Sequence, residues 1–161
     1  MIKIAYVGFG IVSQGLAEII LANNSALAEG KGLEIQTVGI LDTFKGSKID
    51  ANGIDMHEVL INAKNNNYSL LTDSVSNIPE AIQKIEADII IEASFTDIKT
   101  GEPAISHIES ALKSNKHVVT TNKGPFAVGY KQIFKVASSM KKTVAIEGTV
   151  MSGTPIINVL N

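Results

Sequence analysis

The chain has 161 residues, of which 45% are hydrophobic and 19% charged, a balance typical of one globular domain that can bury a core. Its formal net charge of −2 argues against a nucleic-acid surface, and the absence of cysteine excludes disulfides, thiolate nucleophiles and cysteine-bound metals. No apolar run approaches the ~18 residues of a membrane span and the first residues do not resemble a signal peptide, so we expect a cytoplasmic protein without a membrane partner.

The N-terminal stretch joins an apolar strand to a glycine-rich turn and a helix. Residues 2–7 predict a buried strand, and Gly8-Phe9-Gly10-Ile11-Val12-Ser13 follows as a G-x-G-x-x-[GAS] string. Gly8 allows a tight turn, and Gly10 lets the backbone approach a pyrophosphate that faces the first helical N–H groups. Ser13 stands where the third glycine is usual. The pattern predicts dinucleotide binding, and a tight turn without a ligand is the alternative.

An acidic residue ends the second predicted strand. Residues 23–32 predict a polar connection after the first helix, and residues 35–41 form the strand that ends at Asp42. An acidic residue at this position can accept the ribose hydroxyls of an adenosine. A solvated turn aspartate is the alternative. Because Lys45 and Lys48 follow closely and either can reach a 2′-phosphate, the choice between NAD and NADP stays open.

Strands and helices alternate through the rest of the chain. Asp55 and Asn77 are predicted helix N-caps. Further predicted elements are a strand at 88–93, a helix with an apolar face at 105–112, a strand at 117–121, a helix at 130–140 and a strand at 143–146. This order predicts an α/β fold with a doubly wound parallel sheet of the Rossmann type. Ligands bind beyond the carboxyl ends of such strands, here at 8–10, 42, 93–97, 121–123 and 147–153.

Two of these strand ends carry further candidates for chemistry. Lys123 follows a strand directly, and a lysine there can orient a carbonyl or take part in proton transfer, although most lysines are simply solvated. The loop 147–155 offers backbone oxygens and a carboxylate that can surround a hard cation, or is only a tight loop. His57, His107 and His117 are scattered, so we expect packing or surface residues and not metal ligands.

Four motifs agree with one known family. GFGIVSQGLAEI, SFTDIKTGEPA, HVVTTNKGP and EGTVMSGTPIIN occur in the order and spacing seen in homoserine dehydrogenases. The chain resembles that family from end to end, and most of all its compact form without a fused kinase. The resemblance implies the NADPH- or NADH-dependent interconversion of L-aspartate 4-semialdehyde and L-homoserine, on the route to threonine and methionine.

The resemblance also implies roles for individual residues. Besides Gly8 and Asp42, the residues expected at the cofactor are Phe9, Gly10, Ile11, Val12, Ala93, Ser94, Thr121, Asn122 and Lys123. Lys123 matches the lysine that the family uses at its catalytic centre. The residues expected to hold a monovalent cation, usually sodium, are Glu147, Val150, Ser152 and Thr154.

The family's second domain, which grips the substrate and forms most of a dimer interface, has no counterpart in this sequence. We therefore expect residues 1–150 to form a dinucleotide-binding domain and 151–161 to begin the connection to a catalytic and dimerisation domain. The chain alone should bind cofactor with little or no turnover. A stand-alone binding module and another Rossmann-domain oxidoreductase are the alternatives. An aspartate-semialdehyde dehydrogenase is not among them, because it needs a nucleophilic cysteine.

Overall fold

The computed structural model describes residues 1–151 together with Thr154, Ile157 and Val159, and within these residues one six-stranded sheet organises the chain. The strands are β1 (Ile2–Val7), β2 (Ile35–Asp42), β3 (Gly46–Ile49), β4 (Ile89–Glu92), β5 (His117–Thr120) and β6 (Val144–Ala145). Their order in the sheet is β3-β2-β1-β4-β5-β6. All neighbouring pairs are parallel except β2 and β3, which are antiparallel.

Helices connect the parallel strands. They are α1 (Ile11–Lys31), α2 (Met56–Lys64), α3 (Ile78–Lys84), α4 (Ala104–Lys113), α5 (Gly124–Val128) and α6 (Tyr130–Met140). The predicted N-caps are confirmed: Asp55 accepts hydrogen bonds from the amides of His57 and Glu58, and Asn77 accepts one from Glu80. In the described part of the chain, no helix is both long enough and apolar enough to cross a bilayer.

Two apolar cores cover the two faces of the sheet, which confirms the doubly wound architecture. Successive residues of a strand point to opposite faces, so Tyr6 joins one core and Val7 the other. The Val7 core includes Ile108 of α4 and Ile133 of α6. The Tyr6 core includes Leu60 of α2. This arrangement places the strand ends Val7, Leu41, Glu92 and Thr120 in register at one edge.

Two details of the first half differ from the sequence prediction. The expected polar connection at 23–32 is wrong, because α1 continues to Lys31 and ends at Gly32, whose φ of +63° is left-handed. Asn24 stabilises this extension because its side-chain amide exchanges two hydrogen bonds with the backbone of Ile35. The apolar residues Val12 and Ile19 of α1 are mostly exposed, whereas Ser13 and Ala17 are buried.

The second difference is β3, which the sequence analysis did not predict. Its sequence, Gly-Ser-Lys-Ile, has no apolar alternation, and the strand forms by pairing with β2 after the turn at Asp42. Gly46 has a φ of +96°, and a Cβ there would lie 2.3 Å from the carbonyl oxygen of Leu71. A close backbone approach therefore fixes this hairpin, and local propensity does not reveal it.

The buried phenol of Tyr6 gives the domain a pH-dependent stability. Burial raises the pKa of Tyr6 well above its ordinary value of 10.0. Above about pH 10 the unfolded chain loses this proton while the folded chain keeps it, so the free energy of unfolding falls as the pH rises. In Tyr6→Phe we expect a shallower loss of stability between pH 9 and about pH 11, measured by urea unfolding. An equally steep loss in the variant would contradict this assignment.

Candidate functional site

A cleft of about 420 Å³ opens at the carboxyl edge of β1, β2 and β4. Its walls come from the β1–α1 turn, the β2–β3 loop and the loop that follows β4. Residues that line it include Gly8, Gly10, Asp42, Phe44, Ala93, Ser94, Phe95 and His107. In an open α/β sheet this edge, where connections leave toward opposite faces, is where ligands bind.

Gly8 lets the β1–α1 turn touch the chain after β4. Its φ is +82°, and a Cβ at this position would lie 2.6 Å from both the carbonyl oxygen of Ala93 and the Cα of Ser94. Ser13, at the place of the usual third glycine, is fully buried, and its hydroxyl donates a hydrogen bond to the carbonyl oxygen of Gly8 at 2.6 Å. The Ser13 hydroxyl therefore stabilises the turn with a hydrogen bond that a glycine at this position could not make.

Gly10 leaves open space in front of helix α1. No atom lies within 4 Å of the position that a Cβ of Gly10 would occupy. Gly10 is the N-cap residue and has no side chain to cap the helix, so amide groups of the first turn remain available to an anion. Ile11 and Val12 begin this turn with exposed side chains, 91% and 55% accessible. Of the predicted pyrophosphate residues, Gly10 lines the cleft and Ile11 and Val12 begin the helix beside it, whereas Phe9 is fully buried and its amide is bonded to Asp42.

The Asp42 carboxylate connects two walls of the cleft, the β1–α1 turn and the β2–β3 loop, by hydrogen bonds. One carboxylate oxygen, Oδ2, accepts a hydrogen bond from the amide of Phe9 at 2.7 Å. The other, Oδ1, accepts bonds from the amides of Phe44 and Lys45, both at 2.9 Å. A carboxylate offers about four acceptor positions, so one remains for a ligand hydroxyl. The Lys45 ammonium lies nearby, where it donates to the carbonyl oxygen of Phe9 at 2.6 Å.

Glu92, at the end of β4, is a site residue that the sequence analysis missed. The side chain is fully buried, and its carboxylate is hydrogen-bonded to Ser94, Thr120 and Asn122. His107 of α4 lies 3.4 Å from the same carboxylate. The signal in the sequence was an acidic residue at the end of the apolar run 89–91, because glutamate is almost never buried without partners.

The predicted nicotinamide residues meet the cleft through Asn122. Its side-chain amide donates to Glu92 at 2.5 Å and to the carbonyl oxygen of Ser94 at 2.9 Å, which joins the end of β5 to the chain after β4. Thr121 is half-buried, and Lys123 is exposed at the N-cap position of α5. The structure therefore brings Ser94 and Asn122 into contact and places Thr121 and Lys123 beside them in the chain.

The expected cation ligands lie at the end of β6. Glu147 begins a 3-10 turn (Glu147–Thr149), and its carboxylate accepts a hydrogen bond from the amide of Ile157 at 3.0 Å. Val150 is exposed, and the Thr154 amide donates to the carbonyl oxygen of Met151. Ser152 and most of the segment 151–161 lie outside the described residues. Within the described residues, no group of three His, Cys, Asp or Glu side chains is arranged to hold a metal.

Comparisons with known proteins agree on one family. A family model described as the NAD binding domain of homoserine dehydrogenase matches residues 8–147. An NAD(+)-dependent homoserine dehydrogenase from Pseudomonas canavaninivorans is 40% identical over 158 residues, which are 96% of this chain and 45% of that protein. A homoserine dehydrogenase from Methanocaldococcus jannaschii is 33% identical over 96% of this chain and 46% of its own length.

Solved structures show the same fold. The crystal structure of a homoserine dehydrogenase from Thermoplasma acidophilum has a TM-score of 0.83 and 26% identity over 99% of this chain and 47% of that one. A hyperthermophilic archaeal homoserine dehydrogenase in complex with NADPH has a TM-score of 0.82 and 27% identity, with the same coverage. The chain thus spans less than half the length of these relatives. It belongs to the family of homoserine dehydrogenase NAD-binding domains.

Proposed function

We propose that this chain is the cofactor-binding part of a cytoplasmic, homodimeric homoserine dehydrogenase that interconverts L-aspartate 4-semialdehyde and L-homoserine. Residues 1–150 form the binding domain in this proposal, and 151–161 begin the connection to a catalytic and dimerisation domain. The observation that carries it is the cleft in which the Gly8 turn, the Asp42 carboxylate and Ser94 meet. The length of the relatives, about twice that of this chain, supports a further domain.

Different residues of the cleft bind different parts of the dinucleotide. The bound dinucleotide supplies or accepts the hydride. Residues 9–12 line its pyrophosphate, and the amides of Gly10, Ile11 and Val12 hold it, because a helix N-terminus stabilises an anion; the Phe9 amide is engaged by Asp42. Asp42 accepts a ribose hydroxyl at its remaining acceptor position. Since a 2′-phosphate would bring negative charge to this carboxylate, we propose that the domain prefers NADH to NADPH.

Lys123 is the proposed catalytic residue. It follows β5 directly, and Asn122 beside it is bonded to both Glu92 and Ser94, so the start of α5 has a fixed place next to the cleft. An ammonium group at this point can orient the semialdehyde carbonyl and exchange a proton with its oxygen. The group that binds the rest of the substrate belongs to the further domain.

We also propose a sodium site at Glu147, Val150, Ser152 and Thr154. All the donor atoms of this set are oxygens, which hard cations prefer. A Cβ at Gly148 would lie 2.8 Å from the side chain of Thr121, so this turn packs on the end of β5. A cation here would stabilise the wall of the nicotinamide subsite.

The experiment that tests this function compares the 161-residue chain with the full product of its gene. We expect the chain to bind NADH without turnover and the full product to reduce aspartate 4-semialdehyde. In the full product, Lys123→Met should lower kcat by about 100-fold or more and change the Kd of NADH by less than about twofold. Lys131→Met, a change of an exposed lysine on α6, is the matched control.

Several outcomes would contradict the proposal. Full activity of Lys123→Met would remove this lysine from the chemistry. A gene that ends at residue 161, with NADH binding and no activity, would favour a stand-alone binding module. Repeating the titrations in sodium and in tetramethylammonium chloride tests the cation site, since equal affinities and equal thermal stabilities would argue against it.

A further inference from the structure

The buried carboxylate of Glu92 connects the two loops on which the cofactor site depends. Its Oε1 atom accepts hydrogen bonds from the Ser94 amide at 3.2 Å and the Ser94 hydroxyl at 2.5 Å. Its Oε2 atom accepts bonds from the Thr120 hydroxyl at 3.3 Å and the Asn122 amide at 2.5 Å. One side chain with no solvent exposure therefore links the chain after β4 to the chain after β5.

The neighbours of Glu92 are arranged as donors. The Thr120 hydroxyl accepts a bond from the Asn122 backbone amide, so its proton is free to point at Glu92. The Asn122 side chain gives its second N–H to the carbonyl oxygen of Ser94. Nδ1 of His107 lies 3.4 Å from both Glu92 Oε1 and the Ser94 hydroxyl. The four hydrogen bonds that Glu92 accepts from Ser94, Thr120 and Asn122, two on each oxygen, match the four acceptor positions of a carboxylate.

A glutamine cannot replace this carboxylate without conflict. Its NH₂ group would occupy the place of either Oε1 or Oε2. In one orientation it would face the backbone N–H of Ser94, and in the other it would face the NH₂ group of Asn122. In either orientation two N–H donors would face each other at a buried position and one hydrogen bond would be lost, which costs more there than at an exposed position.

We propose that Glu92 is a positioning residue for the nicotinamide half of the dinucleotide. It does not touch the cofactor and acts by fixing Ser94 and Asn122, and through Asn122 the backbone that carries Lys123. This inference rests on the proposed function. The adenosine half depends on the Asp42 carboxylate, whose hydrogen bonds go to the amides of Phe9, Phe44 and Lys45 and to none of the Glu92 partners. Loss of the Glu92 contacts should therefore weaken the nicotinamide half selectively.

The test compares two ligands that share the adenosine half. ADP-ribose lacks the nicotinamide ring, so the ratio of the Kd of NADH to that of ADP-ribose isolates the nicotinamide contribution. In Glu92→Gln of the 161-residue chain we expect this ratio to rise about tenfold, while the Kd of ADP-ribose changes less than about twofold. Binding is measured by isothermal titration calorimetry, and melting temperatures are recorded for each variant.

Two further variants distinguish an effect on cofactor binding from an effect on stability. Thr120→Val removes one donor to Glu92 and the acceptor for the Asn122 amide, and should raise the same ratio by a smaller factor. Ile90→Val shortens a fully buried apolar side chain of the same strand, and should lower the melting temperature with no change in the ratio. If Glu92→Gln does not fold, Thr120→Val decides the question.

The outcomes separate the two proposals. A selective loss of NADH affinity in Glu92→Gln or Thr120→Val supports the positioning role. An unchanged ratio, or equal weakening of both ligands, overturns it and leaves Glu92 as a structural residue in a working cofactor site. If the unmodified chain binds neither ligand, the proposed function fails and the positioning role fails with it.

Discussion

Gly8→Ala should abolish detectable NADH binding and destabilise the domain. The new methyl group would lie 2.6 Å from backbone atoms of Ala93 and Ser94, and these atoms cannot move aside as a flexible side chain can. The φ of +82° adds a strain of about 1–2 kcal/mol for a residue with a Cβ. We expect a loss of at least about 2 kcal/mol in the free energy of unfolding. Calorimetric titration and urea unfolding measure the two effects.

Gly15→Ala is the matched control for this substitution. Gly15 lies inside α1, and no atom stands within 4 Å of its Cβ position. Alanine should therefore raise the free energy of unfolding by about 0.5–1 kcal/mol and leave NADH binding unchanged. Normal NADH affinity in Gly8→Ala would show that the close approach of the turn to residues 93–94 is not required for binding.

Asp42→Asn should remove most of the discrimination between NADH and NADPH. In the unmodified chain we expect NADPH to bind at least about tenfold more weakly, because its 2′-phosphate approaches the Asp42 carboxylate. The amide removes that charge, so the affinities should become similar. NADH itself should weaken, because Asn can no longer accept hydrogen bonds on both sides from Phe9, Phe44 and Lys45. The Kd ratio of the two cofactors is the measurement.

Asp88→Asn serves as the control for charge and capping. Asp88 also accepts a hydrogen bond from a backbone amide, that of Lys3 at 2.8 Å, but it lies at the amino edge of the sheet. The Asp88→Asn substitution should leave the ratio of the Kd of NADPH to the Kd of NADH unchanged. Equal affinities for NADH and NADPH in the unmodified chain would contradict the role given to Asp42, and would point to Lys45 as a partner of the phosphate.

Local patterns predicted the parts of this fold that follow from local rules. The apolar run 2–7, the glycines after it and the caps Asp55 and Asn77 each specify their own conformation, and all are confirmed. The prediction of a polar connection at 23–32 was wrong because this segment continues α1 in spite of its polar residues. The helix ends at the left-handed Gly32, and the Asn24 side chain is bonded to the backbone of Ile35 at the start of the next strand.

In the candidate site, too, local sequence patterns reveal some residues and not others. Gly8, Asp42 and Ser94 could be named from their places after predicted strands, because parallel strands bring their carboxyl ends to one edge. The role of Glu92 could not be named in this way, since it arises from four donor groups that two separate segments supply, Ser94 after β4 and Thr120 and Asn122 at the end of β5. β3 was likewise missed, because its pairing with β2 depends on a long-range backbone contact at Gly46.

Calorimetric titration of the 161-residue chain with NADH tests the central claim most directly. The proposed function predicts saturable binding at one site per chain, competition by ADP-ribose and loss of the signal in Gly8→Ala. Binding that survives in Gly8→Ala would place the site elsewhere on the molecule. A chain that is folded, as judged by cooperative unfolding, yet binds neither NADH nor NADPH would contradict the assignment of this cleft as a cofactor site.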